Sequence, residues 1–172
     1  MEPWRRLDLA LPAEARALLR TCCGSARWVD RMMARRPFGS QEALQAAARD
    51  EWFALQPGDW LEAFAQHPRI GKHEAAGAPS GAARRLSARE QAGVDGAPGE
   101  VLAGLAEGNR QYEERFGYIF IIFASGRSAG DMLASLRARL ANDADAEIRI
   151  AAGEQAKITA RRLDTLTCGA IG

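Results

Sequence analysis

Several things are scarce in this sequence, and each scarcity excludes something. Among 172 residues there are two histidines, His67 and His73, and three cysteines. An odd cysteine count, with Cys22 adjacent to Cys23 and Cys168 far away, is neither a disulfide framework nor a Cys-x-x-Cys metal site. The three read as small hydrophobes in a reducing compartment. Charge of one sign is not in excess either. Lys+Arg is 23 against Asp+Glu 22, a net charge of +1. No basic surplus exists to neutralise a phosphate backbone, so no nucleic-acid partner is expected. Long apolar runs are missing as well. The longest, 118–124, falls far short of the ~18–20 residues that span a bilayer, so no membrane partner is expected. Met1-Glu2-Pro3-Trp4-Arg5-Arg6 has no apolar h-region behind it, and the last residues, Cys168-Gly169-Ala170-Ile171-Gly172, are not a Ser-Lys-Leu address. The expected location is cytoplasmic.

What is present points to helices. Hydrophobic residues make up 47 % and charged residues 26 %, the balance of a globular chain. The length fits one domain over 1–172, with about 1–8 and 167–172 as terminal tails. Ala, Leu, Arg, Glu and Gln abound, all strong helix formers, and strand alternation is almost absent. Apolar spacing predicts helices over 12–20, 25–36, 40–53 and 60–65, with Ser40 as a cap and Pro37-Phe38-Gly39 as a stop. Gly71, Gly77, Pro79 and Gly81 punctuate an irregular connection over 66–86. Further helices are expected over 100–115, from a Ser128 cap onward, and over about 145–166. The run 118–123 reads as a buried extended segment or a short helix. The expected architecture is an all-α, single-domain bundle of seven to eight helices.

Few residues carry chemistry. His67 stands at a helix exit, and Pro68 after it disfavours helical backbone at the imidazole. Histidine suits proton transfer near neutral pH, but a helix-end histidine also simply complements the dipole. His73 lies in a polar stretch. The two are six apart across a glycine, with no Asp or Glu at ligand spacing, so no metal site is expected. Ser87-x-x-Glu90, followed by Gln91, has the spacing of a capping box, and the same geometry offers an anion site. On the last helix Ile148, Ala151, Ala152, Gln155, Thr159, Arg162 and Leu166 share one stripe, whereas Arg161 points away. An arginine on an apolar stripe is either paired, for example with Glu107 or Glu114, or meets a ligand. Asn109, Tyr112 and Phe116 read as packing residues. Phe120 to Ala124 could present backbone groups to a small heterocycle or could simply be core.

Several segments occur together and in order: Trp28-Val29, Arg36-Pro37-Phe38, His67-Pro68-Arg69-Ile70-Gly71, Ser87-x-x-Glu90-Gln91-Ala92-Gly93, Asn109-x-x-Tyr112-x-x-Arg115-Phe116-Gly117-Tyr118, Ile119-Phe120-Ile121-Ile122 and Arg162-Leu163. In these the chain resembles 2-oxo-4-hydroxy-4-carboxy-5-ureidoimidazoline (OHCU) decarboxylases over nearly its whole length. It departs from many members at Ile119, where they carry Pro, and at Ser25-Ala26-Arg27, where they carry Ser-Pro. The resemblance implies an all-α fold and a homodimer. It also implies decarboxylation of OHCU to (S)-allantoin and CO2 in urate breakdown, without a cofactor. It implies that His67, Glu90 and Arg162 are catalytic, and that Pro68, Ser87, Gln91 and the run Phe120, Ile121, Ile122, Phe123 and Ala124 form the substrate pocket. The alternative is a non-catalytic helical module that binds a purine-breakdown metabolite.

Overall fold

Helix starts in this chain are set by prolines and capping hydroxyls. The computed structural model describes residues 1–70, 85–86 and 89–166. Among these residues lie eight α-helices, one short 3-10 turn and no β-strand, which is the expected all-α class. The chain forms two compact units. One comprises Met1–Ala63 and the chain from Ala156 onward, and the other is Phe64–Gln155.

The first unit carries α1 (Pro3–Leu9), α2 (Pro12–Cys22), α3 (Ala26–Ala34), α4 (Gln41–Phe53) and nearly all of α5 (Pro57–Phe64). Proline opens α1 and α2, where its missing N–H costs nothing. Ser25 Oγ accepts from Trp28 N at 3.3 Å and Ser40 Oγ from Ala43 N at 3.1 Å, so each hydroxyl satisfies an orphan donor. Leu7, Leu19, Trp28, Met32 and Leu44 are fully buried. Trp28 still finds a polar partner, donating from Nε1 to Ala48 O at 3.0 Å.

Two boundaries differ from expectation. Residues 1–8, expected as a tail, include most of α1. Its Asp8 accepts from Phe38 N at 2.9 Å and from Gly39 N at 2.9 Å, and Arg36 Nη2 donates to Ala10 O at 2.6 Å. The tether is long-range and therefore invisible to periodicity. Helix α5 begins at Pro57 rather than near 60, because Pro57 fits a first turn and Asp59 accepts from Gln56 N at 3.3 Å.

The second unit carries α6 (Gly99–Phe116), α7 (Ala129–Arg139) and the part of α8 (Ala144–Asp164) up to Gln155. Gly117, at φ +80°, ends α6 and donates its N–H to Glu113 O at 2.9 Å. Ser128 and Asp131 form a reciprocal capping box at the start of α7. Glycine inside a helix costs roughly 1 kcal/mol against alanine, yet α6 carries Gly104 and Gly108 one turn apart. A Cβ on them would sit 2.9 Å from Leu133 Cδ2 and 2.6 Å from Leu136 Cδ2. The two glycines thus let α7 seat its leucines on α6.

The run 119–124 is neither helix nor strand, and five of its six residues are buried. A buried segment without a ladder needs other partners for its backbone. One comes from a buried ion pair. Glu147, on the first turn of α8, is 0 % exposed. It accepts from Arg139 Nε at 2.7 Å, from Asn142 Nδ2 at 2.7 Å and from the Tyr112 hydroxyl. Burial, and after it the hydrogen bond to this carboxylate, push the Tyr112 phenol well above its usual range. Arg139 then donates from Nη1 to Ile121 O at 2.7 Å and lies over the Phe120 ring, 4.5 Å from its centroid. Removing one partner of a buried pair strands the other charge. Glu147→Ala is expected to lower unfolding stability by about 3–5 kcal/mol in urea denaturation followed by circular dichroism; a change within experimental error would show that the pair does not hold the run.

Candidate functional site

The imidazole of His67 is placed by the residues on either side of it. Helix α5 stops at Phe64, and His67 N donates to Phe64 O at 3.1 Å, closing a tight turn. Pro68 then forces extended backbone. Arg69 makes a two-pronged bond to Glu113 on α6, at 2.5 Å through Nε and 2.8 Å through Nη2. Asn109 Nδ2 donates to Ile70 O at 3.4 Å. The strip 67–70 is thereby laid along α6, with Ile70 buried in the core and His67 only 9 % exposed. The ring itself is held by α8: His67 Nε2 lies 2.6 Å from Gln155 Oε1, and Gln155 is fully buried.

The neighbouring residue on α8 holds a second candidate segment. Glu154, also buried, accepts from Phe123 N at 2.7 Å. Consecutive helical side chains diverge by about 100°, so one turn of α8 serves His67 with Gln155 and the 120–124 run with Glu154. Phe120, Ile121, Ile122 and Ala124 are buried and Phe123 is half-buried. Rings join the two segments. The ring of Phe64, three residues before His67, lies 5.5 Å from that of Tyr118, and Tyr112 lies 5.3 Å from Phe120.

Glu90 and Gln91 are half-buried and lead into the 3-10 turn Ala92–Val94, in which Val94 N donates to Gln91 O at 3.0 Å. Val94 enters the same core cluster as Ile70, Ile122 and Ala124. Gly93 sits so close to the end of the 120–124 loop that a Cβ on it would lie 2.1 Å from Arg127 O. Three sequence-predicted segments therefore flank one core: the His67 strip, the Glu90-Gln91 turn and the 120–124 run. Ser87 and His73 lie outside the described residues, as does Cys168.

Arg162 belongs to the first unit. It is buried, as its place on the apolar stripe requires, while Arg161 is exposed. Its Nη1 donates to Thr21 O, in the last turn of α2, at 3.3 Å. The carboxylates expected as its structural partners, Glu107 and Glu114, are ion-paired with Arg110. Cys22 and Cys23 are buried, as expected of small hydrophobes. Burial pushes the Cys23 thiol up to about 12, against the milder opposing effects of hydrogen bonds with Ser25 and Thr159.

Sequence reasoning missed Gln155 and Glu154 as site-building residues. The signal for Gln155 was its place, fully polar, on the apolar stripe of α8. Among the described residues no group of three or more His, Cys, Asp or Glu is placed to hold a metal ion.

An all-α chain with a buried imidazole at a helix exit, faced by a carboxamide and flanked by an irregular apolar run, defines a helical protein with a candidate acid–base centre. A family model described as OHCU decarboxylase matches residues 10–164, and the chain belongs to that family. It is similar to the uric acid degradation bifunctional protein TTL of Arabidopsis thaliana, at 41 % identity over 148 residues, 86 % of this chain. The chain spans 45 % of that relative's length. A solved OHCU decarboxylase, crystallised in the presence of (S)-allantoin, superposes with a TM-score of 0.71 at 38 % identity, covering 86 % of this chain and 94 % of the other. An (S)-allantoin synthase structure superposes with a TM-score of 0.67 at 18 % identity, over 93 % of this chain and 52 % of that one, a likeness of fold alone.

Two outcomes test this geometry. Gly93→Ala must push the Glu90-Gln91 turn off a backbone carbonyl, so it is expected to cost about 1–3 kcal/mol of stability in urea unfolding; an unchanged midpoint would show that the turn and the loop do not abut. The raised Cys23 pKa means that the folded thiol stays protonated while the unfolded thiol ionises above its ordinary value of 9.0. The corresponding stabilisation is complete below that value and is lost as pH rises toward about 12. At pH 9, iodoacetamide followed by peptide mapping is expected to leave Cys23 unmodified in the native protein and to label it in denaturant.

Proposed function

We propose that this protein is a cofactor-independent carboxy-lyase that converts OHCU to (S)-allantoin and CO2 in urate degradation. The observation that carries the reading is the buried His67 at the His-Pro-Arg-Ile strip, in a chain that belongs to the OHCU decarboxylase family. The two units are proposed to make up one OHCU decarboxylase-like domain over 1–172, since the family match runs across both. A cytoplasmic homodimer completes the proposal. Among the described residues no helix is long and apolar enough to cross a membrane.

The chemistry needs no electron sink beyond the substrate. Its carboxylate sits on a carbon next to a ring C=N. When the C–CO2 bond breaks, its electron pair moves toward that imine, leaving an enamine-like intermediate that is protonated on one face. The protein has to seat the carboxylate in a poorly solvated place, stabilise charge on the ring and hold an acid over one face. His67 is assigned to the substrate hydroxyl and to proton delivery. Glu90 orients His67 and, as an anion, favours its protonated form. Ser87, Gln91 and the backbone of Phe120, Ile121, Ile122, Phe123 and Ala124 hold the ring amide and carbonyl groups, with Pro68 shaping the wall beside them. Arg162 binds a ureido or carboxylate oxygen. The near balance of charge supports a small-molecule substrate over a nucleic acid.

Circular dichroism of allantoin formed from freshly generated OHCU tests the reading. The wild-type protein is expected to accelerate formation of one enantiomer. His67→Ala is expected to lose the ~10²–10⁴-fold that a positioned acid supplies and to yield product no more enantiopure than buffer does. Binding without turnover by the wild type would instead support a non-catalytic metabolite-binding module.

A further inference from the structure

We propose that Gln155 is a positioning residue that keeps the proton of the neutral His67 ring on Nε2, so that Nδ1 is the nitrogen through which the imidazolium gives up its proton. The roles assigned to His67 above are presupposed. The contact is 2.6 Å between His67 Nε2 and Gln155 Oε1, 88 residues apart in the chain, with Gln155 fully buried and His67 9 % exposed.

A carboxamide oxygen only accepts hydrogen bonds. At 2.6 Å it must face an N–H, since two lone pairs at that distance repel. Nε2 therefore carries hydrogen in both the neutral ring and the imidazolium. The proton that leaves comes from Nδ1, and the ring returns to its Nε2–H tautomer with no rotation. A mid-helix residue suits this role. Gln155 lies in the interior of α8, where its backbone is fixed, and its neighbour Glu154 is tied to Phe123 N. A free water in the same place could accept or donate and would not select a tautomer.

The charged groups on the segments that carry or flank His67 are Arg69, paired with Glu113, Glu154, bonded to Phe123 N, and Glu90. All are retained in the variants below, so a change in His67 titration reports on position 155. Only two histidines are present, so His67 signals are assignable by comparison with His73→Gln.

The test is 15N and 1H NMR titration of the 172-residue chain, with turnover kinetics alongside. In the wild type, the neutral His67 ring is expected to show the Nε2–H tautomer. Gln155→Glu places an anionic acceptor on the same nitrogen and is expected to raise the His67 pKa by about one unit or more. The corresponding limb of the kcat pH profile should move with it. Gln155→Met removes the acceptor at similar volume; it is expected to mix the tautomers and to lower kcat at least ~10-fold, with less change in KM. A purely structural role would lower stability in Gln155→Met but leave the His67 tautomer and the kcat of the folded variant unchanged. A wild-type ring protonated on Nδ1, or a His67 pKa that is the same in wild type and Gln155→Glu, overturns the proposal. Should Gln155→Met fail to fold, the isosteric Gln155→Glu still decides it. Absence of turnover by the wild type would remove the decarboxylase reading while leaving the NMR result on Gln155 standing.

Discussion

A carboxylate with no access to water is the constraint on which the second unit depends. Taking Glu147 out of solvent costs several kcal/mol in principle, and only a complete set of donors offsets it. Arg139, Asn142 and Tyr112 supply that set. Because the guanidinium has more donors than one carboxylate uses, it also reaches Ile121 O. That surplus donor lets an irregular apolar run lie in the core. Without it the run would need a ladder partner, and no strand exists among the described residues to provide one. The geometry of the 120–124 run thus owes much to an electrostatic cluster that bonds its backbone at Ile121 and lies against its Phe120 ring.

Much of this architecture was legible beforehand, and the reason is locality. Caps and stops act within four residues, so Ser40, Ser128 with Asp131, and Gly117 could be read directly. Periodicity separated buried Arg162 from exposed Arg161. What could not be read were pairings between polar residues distant in sequence. Glu147 could have been any surface acid of a first helical turn, and Asp8 any residue of a tail. The pairing of Arg69 with Glu113 bridges 44 positions, and that of His67 with Gln155 bridges 88. Hydropathy patterns fix which face turns inward, but not which polar side chain finds which.

Family membership and fold carry different weight here. The (S)-allantoin synthase structure shares the fold at 18 % identity, and folds host many chemistries. The functional reading rests on the residues instead: a histidine before a proline, a Glu-Gln pair on a turn that only glycine lets approach the neighbouring loop, and an arginine buried on an apolar stripe. The Arg162 contact with Thr21 O ties one end of the guanidinium to the last turn of α2.

The same logic bears on the acid role proposed for His67. Proton delivery to one face of a short-lived planar intermediate demands that the donor neither swing nor exchange its tautomer between turnovers. In sequence, His73 is followed by Glu74 rather than by a proline. His67 is restrained at three points: by the proline that fixes its backbone, by the Arg69–Glu113 fork two residues on, and by a buried amide on the ring nitrogen itself. Each restraint removes a different freedom. The proline limits ψ at His67, the fork fixes where the strip lies along α6, and the amide sets ring rotation and proton position together. On the proposed reading, such pre-organisation is what favours one enantiomer over the product of solvent protonation, and in the second unit these restraints converge on the His67 imidazole.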